Sequence, residues 1–335
     1  MNLAQIGEFG LIQRLQNGLQ TRDGTVVGIG DDCAVLETLQ TPVVTIDTLV
    51  EGVHFRRDWT TPRALGRKAM AVNLSDLAAS GARPVAALVS LSVGERDDFA
   101  WIEALYQGFE DAARQFDFTV AGGDTTKSPR DLVISVALVG EVWDQKRGAI
   151  LRSGAEIGDV LLVTGNLGDA AAGLAILRAE NTAIPTATRD TLLKRHHEPT
   201  PRLEWMKRLL ELDADAIHAG LDLSDGLTGD AAHLAKRSNV TVRIDANLLP
   251  ISPQCREAAQ VLQFDALEWA LSGGEDYELL LAVAPEKSAP IMKKAREMGI
   301  ALTEIGECVS QSGEISVVTH QNGKIRAPTR AWTHF

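Results

Sequence analysis

The sequence lacks a cysteine framework, a long apolar run, a surplus of positive charge and the familiar phosphate-binding loops. Each absence closes a route. The 3 cysteines, Cys33, Cys255 and Cys308, are widely separated. No CxxC pair exists, which speaks against a zinc site, and an odd count without a spacing pattern fits a reducing cytoplasm. No run of about 18 apolar residues occurs, so no membrane span is expected. The opening MNLAQIGEFGLIQRL has no basic region followed by a long apolar one, so no signal peptide is expected either. With 33 basic against 45 acidic residues the net charge is −12. Non-specific nucleic-acid binding needs clustered basic charge, and is not expected here. There is no G-x-x-x-x-G-K-[ST] loop and no HRD/DFG set, which excludes a P-loop enzyme and a protein kinase.

What remains is an ordinary globular composition, 45% hydrophobic and 23% charged over 335 residues. That length suggests about two domains. The most informative stretch is 26–55, VVGIGDDCAVLETLQTPVVTIDTLVEGVHF. Val26 to Ile29 leads into Gly30-Asp31-Asp32, and Val43 to Ile46 leads into Asp47-Thr48. Both read as strands ending in carboxylates. A single Asp after a strand says little, because Asp is a common turn residue.

The same combination recurs. A helix is expected over 3–19, and another over 62–81 with Pro62 in its first turn and Gly81 at its end. The second has a small-residue face suited to close packing and places Asn73 and Asp76 on one side. A buried strand over 85–93 and an amphipathic helix over 97–116 follow. Strand Phe118 to Ala121 then ends in Gly122-Gly123-Asp124-Thr125-Thr126, where two glycines let backbone N–H groups approach a ligand. A strand over 132–142 completes the first half. The polar, glycine-dotted stretch 144–159 reads as the boundary, dividing the chain into domains 1–145 and 146–335. The fold class is α/β (α+β type).

The second half begins with a strand over 160–165, a turn at Asn166-Leu167-Gly168-Asp169 and a helix over 170–180. Residues 181–202 hold Pro185, Pro199, Pro201 and the pair His196-His197. Adjacent histidines on a helix face different ways, so packing or surface roles are favoured over joint metal binding. Asp222-Leu223-Ser224-Asp225-Gly226 precedes a helix carrying Asp230 and His233. Anions and metal-bound phosphates are favoured at such a helix start. Ser272-Gly273-Gly274-Glu275-Asp276 precedes a strand over 277–283, so Gly-Gly followed by acids occurs in both halves.

Carboxylates gathered at strand ends and in glycine-rich turns suit hard cations such as Mg²⁺, which in turn hold substrate phosphates. The ordered motifs GEFGLI, GIGDDCAVL, DTLVEGVHF, KAMAVNLSDLAASGA, GGDTT, RSGA, LDLSDGL and SGGEDYEL run through nearly the whole chain. Together they closely resemble thiamine-monophosphate kinase, a family within the superfamily that includes aminoimidazole ribonucleotide synthetase and selenophosphate synthetase. The resemblance implies a PurM-like architecture. An N-terminal sheet-plus-helices domain would bind ATP and magnesium and form a homodimer, and a C-terminal α/β domain would complete the active-site cleft. It implies that ATP phosphorylates thiamine monophosphate to thiamine diphosphate, the last step of that synthesis, in the cytoplasm.

Carried over by position, the resemblance makes Asp32, Asp47, Asp76, Asp124 and Asp222 magnesium ligands. Asp225 is a further one, with Thr45 and the backbone at Ile46 beside them. Tyr106, Gly123, Asp124, Arg152 and Ser224 would contact ATP. His54, Glu275 and Trp332 would face the acceptor. The acceptor's phosphate has a second pKa of about 6 and is already largely ionised at neutral pH, so no general base is expected. Selenophosphate synthetase fits poorly, because no cysteine precedes Cys33. A maturation factor with a C-terminal cysteine fits poorly too, because the sequence ends WTHF. Aminoimidazole ribonucleotide synthetase remains possible by fold, but the combination of SGGEDYEL and DTLVEGVHF argues against it. A non-catalytic, metal-dependent nucleotide sensor is the reading from another class, weakened because a binder would not need so many acidic positions.

Overall fold

The computed structural model describes residues 8–29, 33–94, 97–179, 183–319 and 323–325. The chain forms two compact units. One comprises Met1–Leu77 with Ala82–Gln145, and the other Ala78–Gly81 with Lys146–Phe335.

The first unit contains α1 (Glu8–Gln16), β1 (Thr25–Val27), β2 (Val35–Leu36), β3 (Pro42–Val50), α2 (Pro62–Ala79), β4 (Ala82–Val93), α3 (Phe99–Phe116), β5 (Thr119–Lys127) and β6 (Val133–Val142). Four strands make one sheet in the order β3-β6-β4-β5. Helix α2 starts where Thr61 Oγ1 accepts the Ala64 N–H at 3.2 Å, with Pro62 as its first residue. Helix α3 is capped by Asp98, whose side chain accepts from the Ala100 N–H, and closes on Asp117 at φ 55°. The two helices touch backbone to backbone. A Cβ on Gly66 would lie 2.1 Å from the Leu105 carbonyl oxygen, and one on Gly108 would lie 2.2 Å from that of Arg63. Close packing thus comes from this glycine pair, while the alanines expected to provide it, Ala64, Ala69, Ala71, Ala78 and Ala79, are buried along α2.

Strand alternation gives the sheet two different faces. Val136, Val89, Leu138 and Ala87 are buried on one. On the other, Val44 is 68% exposed, Ile46 67% and Leu88 43%. Two strands are longer than the sequence pattern indicates. Asp47 lies inside β3, which pairs with β6 from Pro42↔Glu141 to Val50↔Val133. Asp124 lies inside β5, which pairs in parallel with β4 as far as Val93↔Lys127. An apolar run marks where a strand is buried, whereas the backbone ladder continues through polar residues on its partly exposed length.

The second unit contains β7 (Val160–Thr164), α4 (Asp169–Arg178), α5 (Thr186–His197), α6 (Leu203–Asp213), β8 (Ile217–Asp222), α7 (Leu227–Ser238), β9 (Val242–Asp245), α8 (Pro253–Leu262), α9 (Ala266–Ser272), β10 (Leu279–Val283), α10 (Pro285–Glu297), β11 (Leu302–Cys308), β12 (Ile315–Thr319) and β13 (Gly323–Ile325). Its seven strands run β13-β12-β9-β11-β7-β10-β8. Leu161, Val163, Ala219, Leu221, Leu280 and Ala282 fill its core with residues of α7 and β9. β10 is antiparallel to both β7 and β8. The last residues of β7 and β8 therefore lie at the same end of the sheet as the start of β10. The turns at 165–168 and 223–226 and the segment 273–278 converge there. α5 lies in the proline-marked stretch, between Pro185 and Pro199, and its weak apolar period hides it from the sequence pattern.

Candidate active site

In the first unit, Thr45 and Asp47 share the face of β3 that α2 covers. Thr45 Oγ1 donates to Asp76 Oδ2 of α2 at 2.5 Å. One turn earlier on α2, Asn73 is fully buried; its amide nitrogen donates to the Ala69 carbonyl at 3.1 Å, and its Oδ1 has no hydrogen-bond partner. Thr45, Asp47 and Asp76 supply hard oxygens of the kind Mg²⁺ takes, and an unpartnered buried oxygen nearby is consistent with an ion-binding role. Among the described residues, no three His, Cys, Asp or Glu side chains gather closely enough to hold a metal ion. Ile46 and Asp124 occupy the opposite, uncovered face. Asp124 aligns across the sheet with Ser90, Ser135 and Thr48 rather than with Asp47. β3 is an edge strand, so alternate carbonyls lie outside the ladder, and a backbone oxygen is what Ile46 would contribute.

Gly123 sits in the same row as Asp47, through Val136 and Val89. A Cβ there would fall 1.9 Å from the Val89 carbonyl oxygen, so only glycine lets β5 approach β4 this closely. Tyr106 of α3 is hydrogen-bonded to Thr125, beside Asp124, and burial pushes its hydroxyl pKa up to about 12. The phenol stays neutral and can only act as a hydrogen-bonding group. Beyond β3, His54 Nδ1 accepts the Val50 N–H at 3.0 Å. An accepting nitrogen carries no proton, which assigns the neutral ring as the Nε2–H tautomer. The loop bearing His54 is pinned by Arg57, which pairs with Glu51 at 3.0 Å and Asp97 at 2.9 Å and lies 4.9 Å from the Trp101 ring centre. Asp32 and Trp332 lie outside the described residues.

In the second unit, Asp222 ends β8 and is buried. Ser224 and Asp225 follow, and both backbone N–H groups donate to Asp230 Oδ2 at 3.0 Å. Burial, and the neighbouring Asp225 charge, push the Asp230 carboxyl up to about 7 against these hydrogen bonds and the opposing pull of Arg152. Asp230 thus clasps the turn, and Arg152 stands within electrostatic reach of it. Gly226 leaves this turn at φ 105°, where a Cβ would meet the Ser272 backbone at 2.7 Å. The Ser224 carbonyl accepts the Glu275 N–H at 2.8 Å, and that of Leu223 accepts the Tyr277 N–H at 2.9 Å. Asp222, Ser224, Asp225, Arg152 and Glu275 are therefore brought together.

The sequence reading missed the residues behind Glu275. Asp276 is buried and accepts the Gly168 N–H at 2.7 Å and the Ala170 N–H at 3.3 Å, so it caps α4 from outside that helix. Burial and the adjacent Asp169 push its carboxyl up to about 8. Glu278 is fully buried, bound by Arg195, Arg202 and Thr164. His196 is buried, and its Nδ1 lies 3.2 Å from Glu275 Oε2. The only sequence signal for these contacts was the run of acids at 275–278. The two Gly-Gly pairs prove unlike, one inside a strand and one in an irregular segment after α9. All 3 cysteines are free, and burial pushes the Cys255 and Cys308 thiols up to about 12, which leaves them unreactive.

Comparison with known proteins extends over both units. The family model for AIR synthase related protein, N-terminal domain, matches residues 30–142, and that for the C-terminal domain matches 156–319. Thiamine-monophosphate kinase of Escherichia coli (strain K12) is 41% identical over 304 residues, 90% of each chain. The crystal structure of thiamine-monophosphate kinase from Stenotrophomonas maltophilia K279a is 40% identical, with TM-score 0.80, covering 94% of this chain and 97% of that one. A solved chain described as AaThiL complexed with AMPPCP and TMP is 35% identical, with TM-score 0.76, covering 100% and 99%.

Proposed function

Since the chain belongs to the thiamine-monophosphate kinase family, we propose that it transfers the γ-phosphoryl group of ATP directly to the phosphate of thiamine monophosphate, releasing ADP and thiamine diphosphate. One observation carries the reading: a relative aligned over the whole chain is described in complex with AMPPCP, an analogue of ATP, and TMP. The oxygen-rich placement of Thr45, Asp47 and Asp76 supports magnesium binding, with Asp32, Ile46, Asp124, Asp222 and Asp225 as the further proposed ligands. Bound magnesium would neutralise the two polyanions and align them for in-line transfer.

The chain's own residues do the rest. Asp230 holds the Ser224-Asp225 turn in shape by two hydrogen bonds. That leaves Ser224, Arg152 and the Gly123 backbone, with Tyr106, to receive the nucleotide. The Nε2–H of His54 is a donor suited to an acceptor oxygen. The Glu275 carboxylate, with Trp332, suits a cationic thiazolium. The nucleophile is a phosphate oxygen that is ionised before it binds, so no side chain need remove a proton. The exposed apolar face bearing Val44, Ile46 and Leu88 supports a homodimer formed through the first unit. No helix of the described residues is long and apolar enough to cross a membrane. A cytoplasmic enzyme is the corresponding proposal.

A coupled assay for ADP release tests the reading. Release should require ATP, thiamine monophosphate and Mg²⁺ together, and Asp47→Asn should abolish it without unfolding the chain. ATP binding without acceptor-dependent turnover would make the protein a nucleotide sensor instead.

A further inference from the structure

We propose that Ser238, the last residue of α7, is a positioning residue for nucleotide recognition: its hydroxyl closes the 152–155 segment and fixes the point from which Arg152 reaches ATP. The proposal rests on reading Arg152 as an ATP contact, and Ser238 lies outside the ordered motifs of the sequence.

The segment is exposed, so its shape depends on polar contacts. Leu151 is 58% exposed, and Arg152, Ser153 and Gly154 are exposed as well. Packing of their side chains therefore does little to place them, and the backbone is stitched down instead. The Leu151 carbonyl accepts the Gly220 N–H of β8 at 3.0 Å. Gly154 sits at φ 118°, where a Cβ would lie 2.7 Å from the His218 carbonyl oxygen, so only glycine lets the segment lie this close to β8. The Ser238 hydroxyl adds two bonds. It donates to the Arg152 carbonyl at 3.0 Å and accepts the Ala155 N–H at 3.1 Å. One hydroxyl thus ties both ends of the Arg-Ser-Gly-Ala run, with its donor and one acceptor position in use.

The helix that carries this hydroxyl is firmly seated. α7 buries Leu227, Ala231, Leu234 and Ala235 in the core of the second unit, and Asn239 ends it at φ 54°, directly after Ser238. A helical serine can bond the carbonyl four residues back; this one serves the 152–155 segment instead. The other end of α7 follows the turn at Ser224 and Asp225. Asp230, in the first turn of the helix, feels the Arg152 charge, and it lies about 12 Å along the helix from Ser238. The Arg152 side chain therefore points from the end of α7 back towards the Ser224 turn. One packed helix sets the spacing of two nucleotide contacts. The arginine is placed before ATP arrives, which lowers the entropy lost on binding.

Steady-state kinetics on the full chain, with ATP and thiamine monophosphate varied in turn, test this. Ser238→Ala should raise KM for ATP about fivefold, the size of one net hydrogen bond, and leave KM for thiamine monophosphate nearly unchanged. Threonine and valine differ in little but the hydroxyl, so Ser238→Thr should stay near wild type and Ser238→Val should behave like Ser238→Ala. Arg152→Ala should itself raise KM for ATP, and on that background Ser238→Ala should add nothing. Equal rises in both KM values, a Thr variant as poor as the Val one, or the full rise again on the Arg152→Ala background would mark a merely structural hydroxyl and overturn the proposal. A normal ATP KM in Ser238→Ala, with a raised one in Arg152→Ala, would remove Ser238 while leaving Arg152 in the site. A normal ATP KM in Arg152→Ala would remove both.

Discussion

Replacing Glu278 by Gln should cost the second unit much of its stability. The carboxylate is fully buried and accepts from four donors: Arg202 Nε at 2.6 Å, Arg202 Nη2 at 2.5 Å, Arg195 Nη2 at 2.6 Å and Thr164 Oγ1 at 2.7 Å. Even Gly165 is fitted to it, since a Cβ there would lie 2.1 Å from the carboxylate. Glutamine keeps the shape, but it removes the charge that both guanidinium groups face and turns an NH₂ donor towards them. The arginine side chains are 22% and 11% exposed, so water replaces little of what is lost. Breaking a buried pair from one side costs about 3–5 kcal/mol. For a unit of this size each kcal/mol lowers Tm by about 2–4 °C, so the fall should be about 6–20 °C. Urea unfolding followed by circular dichroism gives the free energy, and differential scanning calorimetry gives Tm. A loss below about 1 kcal/mol would be that of a surface pair and would refute the reasoning.

Three further outcomes follow from the same geometry. Thr45→Val removes the hydroxyl that orients Asp76, so activity titrated against Mg²⁺ should need a higher concentration for half-saturation; an unchanged titration would separate Thr45 from the metal set. Gly226→Ala forces a side chain into the Ser272 backbone at φ 105°, a region costing about 1–3 kcal/mol before any clash. ATP binding measured by calorimetry should weaken sharply, and wild-type affinity would contradict the placement of the 224–226 turn. Asp276 gives a pH signature. Its carboxyl is raised in the folded protein to about 8 from an ordinary 3.8, so the folded state holds the proton longer. Its contribution to stability is full below about pH 4, falls as pH rises towards about 8, and is flat above. The stability of wild type relative to Asp276→Asn should therefore decline across that window, and parallel pH profiles would refute the assignment.

The sequence made the fold class legible because its strongest signals are local: apolar runs, Pro62 at a helix start, glycine-marked turns. It misplaced Asp47 and Asp124 at strand ends because an apolar run reports burial rather than the length of a ladder. It placed the two on no particular face, because they lie on different strands and only the register across β3, β6, β4 and β5 puts them on opposite ones. In the second unit the clustering of Asp222, Ser224 and Asp225 follows from their adjacency and could be read directly. Glu275 reaches the same turn only through strand order, because β10 lies between β7 and β8. His196, Arg195 and Arg202 were beyond sequence reading for a related reason. Arg195 and His196 lie on α5, which carries little apolar period, and Arg202 just precedes α6. The partners of all three lie about eighty residues away in a segment whose acids look solvent-exposed in one dimension.

The central claim is direct transfer from ATP to thiamine monophosphate. Its most direct test is a single turnover with ATP chirally labelled at the γ-phosphate, with Mg²⁺ and the acceptor. Direct in-line transfer predicts that the label appears in thiamine diphosphate with inverted configuration and never on the protein. Retention of configuration, or a labelled phosphoenzyme, would contradict it.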